Sequence, residues 1–251
     1  MNVLITSGGT TEKIDTVRSI SNMSTGKLGS LIAGRFSSER EIEKIFYVCS
    51  NTAVKPQSKK VEIINADSVS CLEKAIRELL SHVRIDIIVH AMAVSDYRVS
   101  SVTSMTDIAE VIVSNLDKIK DSGSQSVISL FKKTESAISG NGKISSGVEG
   151  LLLFMERTPK IISLFQSLSP QSTLIGFKLL DNVALDVLID RGFRILTENK
   201  CAYVLANDLR DITGEQHIGY LIDKDKNYTR YSSKAEIAAA IVSAAVSERL
   251  S

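Results

Sequence analysis

Apolar positions along the chain follow two rhythms. Short, nearly unbroken apolar runs fall at 2–6 (NVLIT), 45–49 (IFYVC), 61–64 (VEII), 85–94 (IDIIVHAMAV), 151–155 (LLLFM), 173–177 (TLIGF) and 202–206 (AYVLA). Runs this short, with little alternation, suit strands buried on both faces. Between them apolar residues recur at steps of three and four, the helical spacing. In 26–36 these are Leu28, Leu31, Ile32 and Phe36. In 67–80 they are Val69, Leu72, Ile76, Leu79 and Leu80, with Asp67 as the expected cap. Helices are also predicted over 159–168, with Pro159 in the first turn, and over 183–195. A hairpin is expected from 218–222 and 228–231, and a last helix starts at the capping box Ser233-x-x-Glu236.

Strand and helix alternate, which requires crossover connections and a parallel sheet. The predicted class is α/β: a Rossmann-like, doubly wound, mainly parallel sheet with a small β flap. Residues 99–142 break the pattern. They are rich in Ser, Asp and Gly, contain a possible helix near 107–120, and read as a lid-like insertion. The whole chain, 1–251, reads as one nucleotide-binding domain, long enough to bury a sizeable core.

Charge and composition narrow the function. Thirty basic against twenty-nine acidic side chains leave a net charge of +1, so no global field favours nucleic acid or an anionic membrane. The cysteines Cys49, Cys71 and Cys201 and the histidines His82, His90 and His217 are scattered, which argues against a zinc site or a redox pair. No apolar run reaches membrane-spanning length, and the start lacks the basic region of a signal peptide. A reduced, cytoplasmic protein is expected.

In open α/β sheets, ligands bind beyond the carboxyl ends of the strands. Three Gly-, Ser- or Asp-rich stretches follow strands here: 6–15 (TSGGTTEKID), 21–29 (SNMSTGKLG) and 93–97 (AVSDY). Gly8 and Gly9 either admit a phosphate or ribose close to the backbone or make a tight turn. Ser24, Thr25 and Gly26 open a helix whose free N–H groups favour an anion, with Asn22 adding an amide; alternatively Ser24 or Thr25 is a plain N-cap. Asp96 suits ribose hydroxyls, a magnesium ion or a turn. Lys143, in GNGKISSG, is either solvated surface or the partner of an anion, on a loop that its flanking glycines make mobile. Two matches are discounted. Tyr220-x-x-x-Lys224 imitates a reductase pair that needs a helix, yet it falls on a strand. The second strand ends FYVCS, without the acidic residue that a nicotinamide-binding Rossmann fold places there.

Taken in order, ITSGGTTEKIDTVRSISNMSTGKLG, AMAVSDY, KISSG, TPKII, GFKLL and AND closely resemble the phosphopantothenoylcysteine synthetases, also called phosphopantothenate–cysteine ligases. The resemblance runs from residue 3 to about 209 and looks like the separate bacterial form, without a flavin-binding decarboxylase domain in front. It implies a ligase of coenzyme A biosynthesis joining 4'-phosphopantothenate to L-cysteine through an acyl-nucleotidylate. CTP and Mg2+ are implied for bacterial members and ATP for the eukaryotic type. The resemblance also implies a homodimer in which a β flap crosses to the partner; the hairpin or the 144–155 region would serve.

By the same resemblance, Lys143 contacts the activated phosphate and Asn22 holds the acyl intermediate. Ser24, Thr25 and Gly26 lie where phosphate contacts are made, with Gly8 and Gly9 also at the nucleotide, Asp96 near the sugar, and the Ala91 and Met92 backbone with Phe177 around the base. Asn207 of the AND motif lies near the substrate. One departure stands out. A lysine that many members carry shortly before AND is moved or absent here, where 197–201 reads TENKC, with Lys200 and Arg194 as candidate substitutes.

Overall fold

The structure, a computed structural model, describes residues 1–133, 142–213 and 216–250. Of the predicted insertion 99–142, residues 134–141 lie outside the described residues. In chain order the first elements are β1 (Asn2–Ser7), β2 (Thr11–Lys13), β3 (Ser19–Ser21), α1 (Lys27–Ser38), β4 (Lys44–Cys49), β5 (Val61–Asn65), α2 (Val69–His82) and β6 (Ile87–His90). Next come β7 (Tyr97–Ser104), α3 (Met105–Val113), α4 (Leu116–Lys133) and β8 (Leu151–Arg157). The chain continues through α5 (Ile161–Leu168), β9 (Thr173–Leu180), α6 (Leu185–Asn199) and β10 (Tyr203–Asp208). It ends with β11 (Ile212–Thr213), β12 (Gln216–His217), β13 (Gly219–Ile222), β14 (Tyr228–Tyr231) and α7 (Lys234–Leu250). Among the described residues, no helix is long and apolar enough to cross a membrane.

The chain divides into two compact units. The first comprises Met1–Thr10, Asn22–Val94 and Lys160–Ser251. It holds an eight-stranded sheet in the order β14-β13-β10-β9-β6-β1-β4-β5. The six strands from β10 to β5 are parallel, while β13 and β14 are antiparallel. Period-two alternation explains why β1 reads as a continuous apolar run. Val3 and Ile5 enter one core with Ile32, Phe36 and Ile241 of α1 and α7. Leu4 enters the other, with Leu72 and Ile76 of α2, Phe165 of α5 and Leu188 of α6. Burying such side chains on both faces contributes roughly 1.5–3 kcal/mol each and holds the sheet between two helical layers.

The second unit comprises Thr11–Ser21 and Ser95–Pro159. It contains the β2–β3 hairpin and an antiparallel β7–β8 ribbon whose register shifts between Val99 and Ser101. Helix α3 is opened by a full capping box between Ser104 and Asp107. Helix α4 is broken at Gly123, whose φ of 60° and ψ of −144° are not helical.

Several sequence expectations shift. The run 151–155 does not rejoin the parallel sheet but forms β8 against β7, because an apolar run does not encode which strand it pairs with. The cap of α2 is Ser68, whose hydroxyl accepts from the Cys71 N–H; Asp67 instead accepts from the Asn51 backbone and side-chain amides. Pro159 lies before the Lys160 cap of α5, not inside the first turn. The 218–231 hairpin pairs onto β10 and so extends the main sheet.

Candidate functional site

The strand order reverses at β1. The chain runs outward through β4 and β5 on one side, and through β6, β9 and β10 on the other. The crevice beyond the carboxyl ends of β1 and β6 is therefore the topological switch point, where ligands enter open α/β sheets.

Backbone bonds carry the β1–β6 pairing past the ends of both strands. The Ala91 N–H donates to the Thr6 carbonyl at 3.0 Å, the Ala93 N–H to Gly8 at 2.8 Å and the Thr10 N–H to Ala93 at 3.0 Å. The Asn22 N–H then donates to the Thr10 carbonyl at 3.0 Å, which fixes Asn22 against the loop after β1. A Cβ on Gly9 would run into the Asn22 carbonyl oxygen. That glycine is therefore required by backbone packing before any ligand is considered. Beside Gly8, the buried Ser50 hydroxyl at the end of β4 has no hydrogen-bond partner among the described residues.

Helix α1 begins at Gly26, which sits in the left-handed region at φ 70° and ψ 4° and serves as N-cap without a side-chain hydrogen bond. Neither Ser24 nor Thr25 is that cap. The Lys27 N–H donates to the Thr25 hydroxyl at 3.4 Å, and Gly26 itself brings no side-chain acceptor to the start of α1, where free N–H groups favour an anion. The turn is held from beneath. The Ser7 hydroxyl donates to the Gly26 carbonyl at 3.1 Å, and the Tyr47 hydroxyl lies 3.4 Å from the same carbonyl and 3.0 Å from that of Val54. Burial pushes the Tyr47 phenol up to about 12, so it stays a donor.

Around this crevice the first unit gathers Gly8, Gly9, Asn22, Ser24, Thr25, Gly26, Ala91 and Met92. Met92 is 6 % exposed and packs into the α2–α5–α6 core. Ala91, just past β6, and Phe177, inside β9, both pack on the opposite core. Asn207, 8 % exposed at the end of β10, lies with its Nδ2 3.5 Å from His217 Nε2. Burial, with a smaller contribution from Lys234, lowers the His217 pKa to about 4 and keeps its ring neutral. Next to Asn207, the Asp208 carboxylate accepts from the N–H groups of Asn182, Val183 and Arg210 and so fixes the β9–α6 connection.

Asp96 and Lys143 belong to the second unit, where both are exposed. The Asp96 carbonyl accepts from the Thr158 N–H at 3.0 Å. The loop after Lys143 is pinned, not free: the Ile144 N–H donates to Asp15 Oδ2 at 3.1 Å. Asp15 closes the stretch TSGGTTEKID, and its local signal in the sequence is the D-x-x-R turn it opens toward Arg18. Tyr47 was likewise missed, since an apolar strand context hides its hydroxyl.

Lys200 caps the carboxyl end of α6 in a left-handed conformation and precedes β10, whereas Asn207 is the last residue but one of that strand. It therefore stands at the opposite rim of the sheet. Arg194 donates to Glu198 at 2.7 Å on the exposed face of α6. Among the described residues no group of three His, Cys, Asp or Glu side chains is arranged to hold a metal ion. A magnesium ion that keeps its waters and rides on phosphates needs no such cage.

The family of the DNA/pantothenate metabolism flavoprotein C-terminal domain matches residues 1–110. A coenzyme A biosynthesis bifunctional protein CoaBC from Methanocaldococcus jannaschii is 31% identical over 246 residues, covering 96% of this chain and 49% of that protein. The protein of the same name from Thermococcus kodakarensis is 28% identical over 223 residues, 89% of this chain and 45% of its own. The chain thus spans about half the length of these curated relatives. Among solved structures, the C-terminal domain of a CoaBC protein shares the fold at 21% identity and a TM-score of 0.64, covering 96% of this chain and 92% of that one. The DNA/pantothenate metabolism flavoprotein from Streptococcus pneumoniae is 32% identical, with a TM-score of 0.82 and 99% of both chains covered. The chain belongs to the family of the DNA/pantothenate metabolism flavoprotein C-terminal domain.

Proposed function

We propose that this protein is a phosphopantothenate–cysteine ligase of coenzyme A biosynthesis, which joins 4'-phosphopantothenate to L-cysteine through an acyl-nucleotidylate, with CTP as the activating nucleotide. The observation that carries the reading is the start of α1 at the left-handed Gly26, which brings no side-chain cap, beside the β1–β6 switch point, with Asn22 bonded into the same loop. The names of the archaeal relatives support the pathway.

In this reading the substrate carboxylate attacks the α-phosphate and pyrophosphate leaves. The cysteine amine then attacks the acyl carbon, and the nucleoside monophosphate leaves. Charge builds on the α-phosphate oxygens in the first step. The first N–H groups of α1 and the Lys143 ammonium are the donors suited to stabilise it. Asn22, held by its backbone, orients the acyl-nucleotidylate through its amide. Gly8 and Gly9 let phosphate or ribose approach the backbone, Ala91, Met92 and Phe177 border the base, Asp96 takes sugar hydroxyls, and Asn207 takes the pantothenate end. Mg2+ travels with the nucleotide phosphates and offsets their charge. The protein works as a homodimer in the cytoplasm, the setting that suits the buried free thiols of Cys49 and Cys201.

A second reading is a nucleotide-binding protein of the same fold without turnover. It is favoured by the position of Lys200, at the rim opposite Asn207. Pyrophosphate release from purified protein with phosphopantothenate, cysteine and Mg2+, comparing CTP with ATP, separates the two. Release with CTP that depends on phosphopantothenate supports the ligase. Release with ATP alone changes the nucleotide, and release with neither favours the binding protein.

A further inference from the structure

Lys143 is exposed, yet the peptide that joins it to Ile144 is held at several points. The Ile144 N–H donates to Asp15 Oδ2 at 3.1 Å, and the Ile144 carbonyl accepts from Arg18 Nη1 at 3.4 Å. Arg18 Nη1 also donates to Asp15 Oδ2 at 3.2 Å, which closes a small ring of contacts. The other carboxylate oxygen, Oδ1, accepts from the N–H groups of Val17 at 2.8 Å and Arg18 at 2.7 Å. The Asp15 side chain is only 2 % exposed. Its acidity is consistent with this arrangement. Burial alone would raise its pKa, but the donors of Val17, Ile144 and Arg18 and the Arg18 charge outweigh it and hold the carboxyl below its usual value. The Ile144 side chain is itself buried at 3 % exposure. The backbone beside Lys143 is thus clamped at its N–H, its next carbonyl and its next side chain, while the lysine side chain projects into solvent.

We propose that Asp15 is a positioning residue that latches the Lys143–Ile144 peptide, so that the lysine swings from a fixed Cα and reaches a reacting phosphate without ordering its loop anew. The proposal rests on the ligase reading above and on the role it gives Lys143. An ordered backbone restricts the lysine to a few side-chain torsions. The entropy of fixing the loop is then spent on folding and not at each turnover.

Asp15→Asn tests it. The asparagine has one carbonyl oxygen, which can satisfy the Val17 and Arg18 N–H groups. Its amide would then face the Ile144 N–H and the Arg18 guanidinium, donor against donor. The turn is kept and the latch is opened. Two measurements are made on the full chain. The first is hydrogen exchange at the Ile144 amide, which needs no activity; it should quicken at least tenfold in Asp15→Asn, and an unchanged rate would overturn the latch. The second is steady-state turnover with CTP. Here kcat should fall about tenfold or more while the nucleotide KM changes less than about threefold, and adding Asp15→Asn to Lys143→Gln should lower kcat by less than about threefold further. Full multiplication of the two effects, or normal kcat in Asp15→Asn, would overturn the positioning role. If wild-type protein releases no pyrophosphate, the ligase reading fails and the exchange measurement still decides the latch. Should Asp15→Asn not fold, Arg18→Met, which removes the contact to the Ile144 carbonyl, is read the same way.

Discussion

The Thr6 hydroxyl and His90 Nδ1 lie 2.7 Å apart, on residues that are register partners across the parallel strands β1 and β6. The imidazole also stands edge-on to Phe165, ring centroids 5.3 Å apart. The ring therefore has a polar partner on one side and an aromatic face on the other, directly below the switch point. Burial pushes its pKa from 6.5 down to about 4.

Stability should accordingly fall on mild acidification. The unfolded chain takes up a proton at this histidine near pH 6.5, whereas the folded chain resists until about pH 4. The stabilising difference is fully present above the unfolded value and is lost as pH falls from about 6.5 to about 4, roughly 3 kcal/mol in all. His217 acts in the same direction, its pKa also lowered to about 4. Urea midpoints should drop between pH 7 and pH 4.5. His90→Asn keeps an acceptor for Thr6 but does not titrate, so it should flatten the slope. An equal slope in wild type and variant would remove His90 as the cause.

Two glycines should respond with opposite signs. Gly9→Ala drives a Cβ into the Asn22 carbonyl oxygen, backbone against backbone, with no flexible side chain to yield. Overpacking of this kind costs roughly 2 kcal/mol or more and would displace Asn22 as well. Gly34 lies on the exposed face of α1, and a Cβ there meets nothing within 4 Å. Gly34→Ala should raise stability by about 0.5–1 kcal/mol through helix propensity alone. Thermal melts of the two variants check both signs at once; a stable Gly9→Ala would mean that the loop can relax.

Much of this arrangement was legible in the sequence, because local chemistry encodes it. The unbroken run of β1 reflects its two buried faces, with Leu4 in one core and Val3 and Ile5 in the other. The stretches holding Gly8, Gly9, Asn22 and Gly26 follow strands, as their turn-forming residues suggest. Caps were read less well. Ser24 and Thr25 look like N-caps by residue type, but the chain turns left-handed at Gly26, a conformation that favours glycine over either of them. The latch between Asp15 and Ile144 spans 129 residues, so no local pattern could announce it. The Tyr47 hydroxyl escaped for the same reason, since its role depends on a carbonyl 21 residues earlier.

Asp208 shows how the AND motif serves the architecture. Its Oδ1 accepts from the N–H groups of Asn182 and Arg210, and its Oδ2 from that of Val183, with Arg210 Nε 3.5 Å away. Burial would raise its pKa, but the Val183, Asn182 and Arg210 donors and the Arg210 charge hold the carboxyl below 3.8. Asp208→Asn turns an acceptor into a donor facing donors and should lower the melting temperature at pH 7. The stabilisation is present above the unfolded pKa and is lost as pH falls through the lowered folded value. The difference between variant and wild type should therefore shrink in strong acid. A gap of equal size at pH 7 and pH 2 would show that the variant acts through packing and not through the charge.

The chemistry itself is tested by dividing the reaction into its halves. Lys143→Gln keeps the polarity and most of the length of the side chain but removes its charge. If the ammonium meets the reacting α-phosphate, the change costs roughly 3 kcal/mol of transition-state stabilisation, about a hundredfold in pyrophosphate release. Asn22→Asp should behave differently. Its backbone bond to Thr10 survives, so the loop keeps its shape. In the ligase reading, the new carboxylate would face the phosphate of the acyl-nucleotidylate in place of an amide donor. Activation should proceed while transfer to cysteine is impaired, so that the intermediate builds up in quenched reactions. The pair of variants thus assigns one residue to each half-reaction. Wild-type rates in Lys143→Gln would leave it a surface lysine, and normal overall turnover in Asn22→Asp would remove the amide from the second step.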